Sequence, residues 1–237
     1  AVPDKLIPRD VYSLDRKKFL PLWLEVKSGE NTAPGIYSGE IRITGDNGKT
    51  LSLPLEVKVY DFVLPRRNIV PSIVSIWERD LQTYLQDGDA EGFMRLFTAY
   101  ADMVLEHRLN PVVMHQGDLV AGWLRDTVYP NYRVSPDGKA EINWKYYDRL
   151  VSRLREKGLS TVVTGPYYRD ADIWKNSKNQ DAVWREVARH ARENGYLEEA
   201  VAYPIDEWSM QHLDEINRIG EMVKNNAPGV RWLITFG

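Results

Sequence analysis

The chain has 237 residues, with 31 Lys+Arg against 34 Asp+Glu, and its formal net charge of −3 argues against a nucleic-acid binder. Its 43% hydrophobic and 27% charged residues are those of a folded globular chain, and no apolar run reaches the roughly 20 residues that a membrane-spanning helix needs. Zero cysteines exclude a disulfide scaffold, a thiol nucleophile and a Cys-ligated zinc site. Ala1–Asp10 has neither the basic start nor the apolar stretch of a signal peptide, so any export signal is expected to have been removed. Eight Trp and 13 Tyr against five Phe make a surplus of amphipathic rings. Such rings suit stacking on sugars or lining a polar groove, and packing alone also uses them.

Up to Pro65 the hydrophobic period is two. Leu22, Leu24 and Val26 alternate with Trp23, Glu25 and Lys27, and Tyr37, Gly39, Ile41 and Ile43 alternate with polar residues. Alternation of this kind predicts half-buried antiparallel strands. Gly45-Asp46-Asn47-Gly48 separates the second of these from Leu51, Leu53, Leu55, Val57 and Val59, which read as the returning arm of a hairpin. Residues 1–65 are therefore expected to form a small β-sandwich-like module, short of core for an independent domain.

From residue 66 to residue 237 the pattern becomes short apolar runs followed by helical stretches. The runs are Ile69–Ile76, Pro111–His115, Ser160–Gly165, Ala200–Ile205 and Val230–Phe236, with starts roughly 30–50 residues apart, which is βα repetition. One helix is predicted from Asp89 with Leu96, Phe97, Tyr100, Met103 and Val104 on a broad face. A second follows Asn143 and ends at Lys157-Gly158, where glycine can take a left-handed cap. A third starts near Gln180 and runs to Asn194-Gly195, and a fourth starts at Ser209 and ends before Pro228-Gly229.

A doubly wound sheet and a (β/α) barrel both fit this repetition. Ile76-Trp77-Glu78-Arg79 has none of the glycines of a dinucleotide-binding turn, so the barrel is favoured. A complete (β/α)8 (TIM) barrel takes about 250 residues, and the five runs after residue 66 fill less than that. The fold class expected is α/β: an N-terminal antiparallel β-sandwich-like module followed by an incomplete TIM barrel of about five βα units.

Barrel sites are built at the carboxyl ends of the strands. The places to inspect are Trp77-Glu78, His115–Asp118, Tyr167–Asp170, Asp206-Glu207-Trp208 and Gly237, an aromatic and acidic set that suits carbohydrate better than phosphate. Tyr203-Pro204-Ile205-Asp206-Glu207-Trp208 carries the strongest signal. Neighbouring strand residues point to opposite faces, so both carboxylates reach one pocket only if the chain turns at Asp206-Glu207, and the strand end beside Ser209 as a helix cap is where it would turn. Two close carboxylates also favour keeping one protonated as an acid. The acidic pairs Glu198-Glu199 and Asp214-Glu215 are read as solvated. Trp77, Tyr167, Tyr168, Tyr203 and Trp208 are candidates to contact or stack on a sugar ring, and His115 is a candidate to bind a hydroxyl. His107, His190 and His212 lie on helices without ligand spacing and are read as non-functional. There is no GxSxG, P-loop or HExxH motif.

The module order, the passage Val57-Lys58-Val59-Tyr60-Asp61-Phe62-Val63-Leu64-Pro65 and the Asp206-Glu207 pair after the fourth run resemble glycoside hydrolase family 123 and its relatives. The resemblance implies a β-sandwich followed by a (β/α)8 barrel, and an exo-acting β-N-acetylgalactosaminidase. It implies a retaining mechanism in which the substrate's own 2-acetamido group is the nucleophile. Glu207 would match the general acid/base. Asp206 would match the residue that accepts the acetamido N–H and stabilises the oxazolinium ion. Trp208 stands where relatives often have proline. The resemblance implies no metal or organic cofactor, a glycan substrate and a bacterial exported protein.

Two other readings stay open. One is a glycosidase for a different sugar whose nucleophile lies on strands beyond this chain. The other is a non-catalytic carbohydrate-binding or interaction protein that covers open sheet edges by self-association or with a second chain completing the barrel. Neither nucleic acid nor membrane is an expected partner.

Overall fold

Residues 19–113, 122–167 and 177–237 are described by the computed structural model of the chain. They divide into two units, one ending at Leu64 and one beginning at Pro65.

In the first unit, strands β1 (Gly35–Thr44) and β2 (Thr50–Val59) pair antiparallel over their full length, with Tyr37 opposite Val57, Ile41 opposite Leu53 and Ile43 opposite Leu51. The turn follows from its residues: Gly45 N–H donates to Lys49 O at 2.9 Å, and Gly48, at φ +74°, donates to Gly45 O at 3.0 Å. Residues opposite one another share a face, so Tyr37, Ile41, Ile43, Leu51, Leu53, Leu55, Val57 and Val59 make one apolar face. The other face carries Glu40, Arg42, Glu56 and Lys58.

The expected sandwich is reduced to this hairpin among the described residues. Leu22–Lys27, predicted as a strand, is not one, and Trp23 in it is 72% exposed. Alternation supplies a face, but a strand also needs a neighbour to complete its ladder of hydrogen bonds, and among the described residues this segment joins no sheet.

In the second unit the first two expected strands meet in one parallel bridge, Val74 to Pro111. Val74 N–H donates to Asn110 O at 2.8 Å and Val112 N–H to Val74 O at 2.9 Å, so the bridge uses the residues flanking Pro111 and never needs the N–H that proline lacks. Pro71 similarly limits pairing in Ile69–Ile76. Asn110 is fully buried and joins three of the expected runs. Its Nδ2 donates to Ser72 Oγ at 3.2 Å, and its Oδ1 accepts from Ser160 N–H at 2.8 Å.

The other three runs form a parallel sheet in the order β5 (Val162–Thr164), β6 (Ala200–Trp208), β7 (Arg231–Phe236). A two-residue-per-strand hairpin, β3 (Arg133–Val134) with β4 (Ala140–Glu141), was not anticipated. The architecture is mixed α/β with small sheets that are not closed among the described residues.

The helices are α1 (Glu78–Leu81), α2 (Ala90–Glu106), α3 (Gly122–Thr127), α4 (Lys145–Glu156), α5 (Ser177–Glu193) and α6 (Leu213–Asn226). Asp89 caps α2 by accepting from Gly92 N–H at 2.7 Å, and Phe93, Phe97 and Ala101 follow at one-turn spacing on its buried face. Tyr147, Leu150 and Leu154 of α4, Val183, Trp184 and Val187 of α5, and Ile216, Ile219 and Val223 of α6 pack with Val162, Ala200, Ala202 and Ile205 in one core. On the opposite face of the strands a smaller cluster gathers Val112, Val163 and Tyr203 with Ile73, one residue from each of four successive expected runs. Gly165, at φ +87°, ends β5 where a Cβ would stand 2.4 Å from Trp184 Cζ3, so only glycine fits there.

Glu199, expected to be solvated, is 7% exposed. Arg155 Nε donates to it at 2.8 Å and Arg67 pairs with it at 2.5 Å, which supplies the partners that a buried carboxylate requires. Among the described residues no helix is long and apolar enough to cross a membrane.

Candidate functional site

Asp206 and Glu207 stand at the carboxyl end of β6, the central strand of the parallel sheet. Their placement depends on two irregularities in the pairing of β6 with β7. Ala202 opposes Trp232, Ile205 opposes Ile234 and Trp208 opposes Phe236, so twice over three steps along β6 match two along β7. Each is a bulge with one extra residue on β6, and a bulge re-aims the side chains around it. The first spans Tyr203-Pro204, where the missing ladder bond accommodates proline inside a central strand. The second spans Asp206-Glu207.

The bulges have a direct chemical consequence. In a regular strand Tyr203 and Asp206, three residues apart, would project from opposite faces. Here Tyr203 Oη donates to Asp206 Oδ1 at 2.6 Å. Thr235 Oγ1, from β7, donates to the same oxygen at 2.7 Å and accepts from Glu207 N–H at 3.0 Å. Tyr203 Oη and Thr235 Oγ1 are 3.2 Å apart, so three oxygens close a small triangle. Each hydroxyl spends its single proton on Asp206 Oδ1. Among the described residues Oδ2 receives no such bond.

Glu207 adopts φ +53°, the left-handed region that residues other than glycine seldom enter. That conformation costs about 1–2 kcal/mol and interrupts the regular alternation of β6 at Glu207. Strand β6 nonetheless continues through the acidic pair to Trp208, which pairs with Phe236. Asp206 is partly buried and Glu207 exposed, so one carboxylate is held and its neighbour is open to solvent.

Burial first, and then the hydrogen bond to Asp206, push the Tyr203 phenol up to about 12, with Tyr167 near enough to add to the effect. Tyr203 therefore remains a proton donor at neutral pH. Its hydroxyl, expected to contact a sugar, is bonded to Asp206.

The other predicted residues are distributed as follows. Tyr167 is buried at 8% exposure. Trp208 is partly buried, its ring 5.1 Å from that of His212. His212, read from the sequence as non-functional, is thereby beside the site. Trp77 is half exposed, with the Arg79 guanidinium 5.9 Å from its ring centre, and its neighbour Glu78 is the buried member of that pair at 2% exposure. His115 and Tyr168 lie outside the described residues. Ser209 does not act as a side-chain cap: His212 N–H bonds its backbone oxygen at 3.0 Å, while its Oγ is buried without a hydrogen bond among the described residues. His190 is structural, bonded to Asp148 Oδ1 at 2.7 Å and stacked on Trp144 at 4.1 Å.

Thr235 is the site residue that sequence reading missed. A hydroxyl near the carboxyl end of an apolar strand, Leu233-Ile234-Thr235-Phe236, was the available signal. Among the described residues no group of three His, Asp or Glu could hold a metal ion. The arrangement offers a fixed hydrogen-bond acceptor next to an open carboxyl group that can give and take a proton. Comparison of the sequence with protein-family models and with curated proteins gave no match.

Proposed function

We propose that the chain carries the acidic centre of a retaining glycoside hydrolase acting on terminal β-linked N-acetylhexosamine, GalNAc in the first instance. The observation that carries this reading is the left-handed Glu207 beside an Asp206 whose Oδ1 is held by Tyr203 and Thr235. A strained backbone conformation at the carboxyl end of a parallel strand supports a functional role, because such strain clusters at active sites.

In this mechanism Glu207 protonates the glycosidic oxygen as the bond from the anomeric carbon to that oxygen breaks. The acetamido carbonyl oxygen of the substrate forms the new bond to the anomeric carbon, giving an oxazolinium ion. Asp206 Oδ2 accepts the acetamido N–H and stabilises the positive charge that develops there. Water then attacks the same carbon, Glu207 takes its proton, and the sugar leaves with its β configuration retained. Because the substrate supplies the nucleophile, one adjacent pair suffices where most retaining enzymes use two carboxyl groups about 5 Å apart across the bond. Proton transfer and neighbouring-group attack need no cofactor.

The fold part of the proposal is a TIM barrel preceded by β-sandwich material. Parallel strand order, helices on one face and the cluster of Ile73, Val112, Val163 and Tyr203 on the other support the barrel. An exported location belongs to the same reading.

The test is release of p-nitrophenol from β-GalNAc, β-GlcNAc and β-galactose glycosides by the chain and by Glu207→Gln. Cleavage confined to acetamido sugars is expected, with a loss of about 10²–10⁴-fold in the variant. Cleavage of the galactoside would overturn the substrate-assisted step, and silence on all three would overturn the hydrolase reading.

A further inference from the structure

We infer that Thr235 is the positioning residue of the acidic pair, one hydroxyl that aligns Asp206 and holds Glu207 in its left-handed turn. The inference rests on the hydrolase reading above and adds to it a residue from another strand.

Bond accounting leads to it. Thr235 Oγ1 has one proton and two lone pairs. The proton goes to Asp206 Oδ1 at 2.7 Å, and a lone pair receives the Glu207 backbone N–H at 3.0 Å. A single atom on β7 is thus bonded to both members of the pair on β6. Bonding to Asp206 engages Oδ1 and leaves Oδ2 without such a bond among the described residues. Bonding to Glu207 N–H satisfies a donor that the second bulge removes from the β6–β7 ladder, and it secures the conformation at φ +53°. Tyr203 assists only the first task, since its hydroxyl donates to Asp206 and makes no bond to Glu207 N–H.

Valine has threonine's shape without the hydroxyl, and serine keeps the hydroxyl without the methyl group. Thr235→Val therefore removes one of the two hydroxyl donors to Asp206 and the acceptor of the Glu207 backbone N–H at once, while Thr235→Ser retains the two bonds. Misplacing a reacting group by about 1 Å can cost on the order of 10²-fold in rate. The loss should fall on kcat more than on KM, and it should be larger for a methyl glycoside than for a p-nitrophenyl glycoside. A poor leaving group depends more on a well-placed acid.

The experiment measures kcat and KM of the chain, Thr235→Val and Thr235→Ser on p-nitrophenyl and methyl β-GalNAc glycosides, with thermal unfolding of each. Support is a loss of about 10²-fold in kcat for Thr235→Val on the methyl glycoside, a smaller loss on the p-nitrophenyl glycoside, and recovery in Thr235→Ser to within a few-fold. An unchanged Thr235→Val, an equal loss in both variants, or an equal loss on both leaving groups would overturn the positioning role while leaving the hydrolase reading in place. If the unsubstituted chain cleaves neither glycoside, the hydrolase reading fails and the positioning role fails with it.

Discussion

The β1–β2 hairpin and the β5–β6–β7 sheet are both rich in Val, Leu and Ile, yet Leu51 and Leu53 of the hairpin are 56% and 43% exposed while Val162, Ala202 and Ile205 of the sheet are 0% exposed. The difference lies in what covers them. Residues of α4, α5 and α6 form one continuous core with β5 and β6, and among the described residues no comparable layer covers the hairpin's apolar face. Full burial of such a side chain contributes about 1.5–3 kcal/mol, so the sheet holds its position firmly and the hairpin does not gain that stabilisation. The acidic pair is on the well-packed side of this contrast, where two bulges can be maintained because the rest of β6 is held.

Core truncation should show the contrast most strongly. Trp184→Ala, at a residue 0% exposed, is expected to lower the unfolding free energy by about 3–5 kcal/mol, and Leu53→Ala in the hairpin to change it by less than about 1 kcal/mol. Denaturant unfolding of the two variants checks this, and equal costs would break the comparison.

An intermediate effect is expected in alkali. Of the 13 tyrosines, Tyr203 should ionise at about pH 12, above the ordinary value of 10.0. Its neutral form is favoured by the folded state, so the stability it contributes is complete below pH 10 and is lost as pH rises through about 12. Ultraviolet titration of tyrosinate in the chain, Tyr203→Phe and Asp206→Asn reads this directly. Removing the Asp206 charge should lower the midpoint without returning it fully, since burial is the larger cause. Tyr147 and Tyr196, both held up chiefly by burial, should ionise later still.

The smallest effect has the opposite sign. Glu207→Gly should raise stability by up to about 1 kcal/mol by relieving the left-handed conformation, while removing the proposed acid. Thermal unfolding that shows a loss of stability instead would mean that Glu207 makes packing contacts that outweigh its strain.

Sequence periodicity located α2, α4, α5 and α6 because their apolar residues repeat at one-turn spacing and their ends carry Asp89, Gly158 and Gly195. It failed at Leu22–Lys27, where a convincing alternation has no partner strand among the described residues, and at Ile69–Ile76, whose described pairing is a single bridge from Val74 to Pro111. It also misjudged Glu199, whose burial depends on Arg67 and Arg155, two residues distant in the chain. Within the candidate site, Asp206 and Glu207 were legible from their place after an apolar run. Thr235 was not, because nothing local marks a threonine as the partner of residues 29 and 28 positions earlier.

What the amino-acid sequence determined alone is therefore the inventory and the order: an alternating hairpin, then apolar runs and amphipathic helices, with an acidic pair at the end of one run. Those properties are local, set by hydrophobic period and turn chemistry. Tertiary structure decided which apolar faces are covered, that β6 carries two bulges against β7, that Glu207 turns through a left-handed conformation, and that Tyr203 and Thr235 bond to one oxygen of Asp206. Register between strands and burial against helices are properties of pairs of segments, and a pair exists only once the chain has folded.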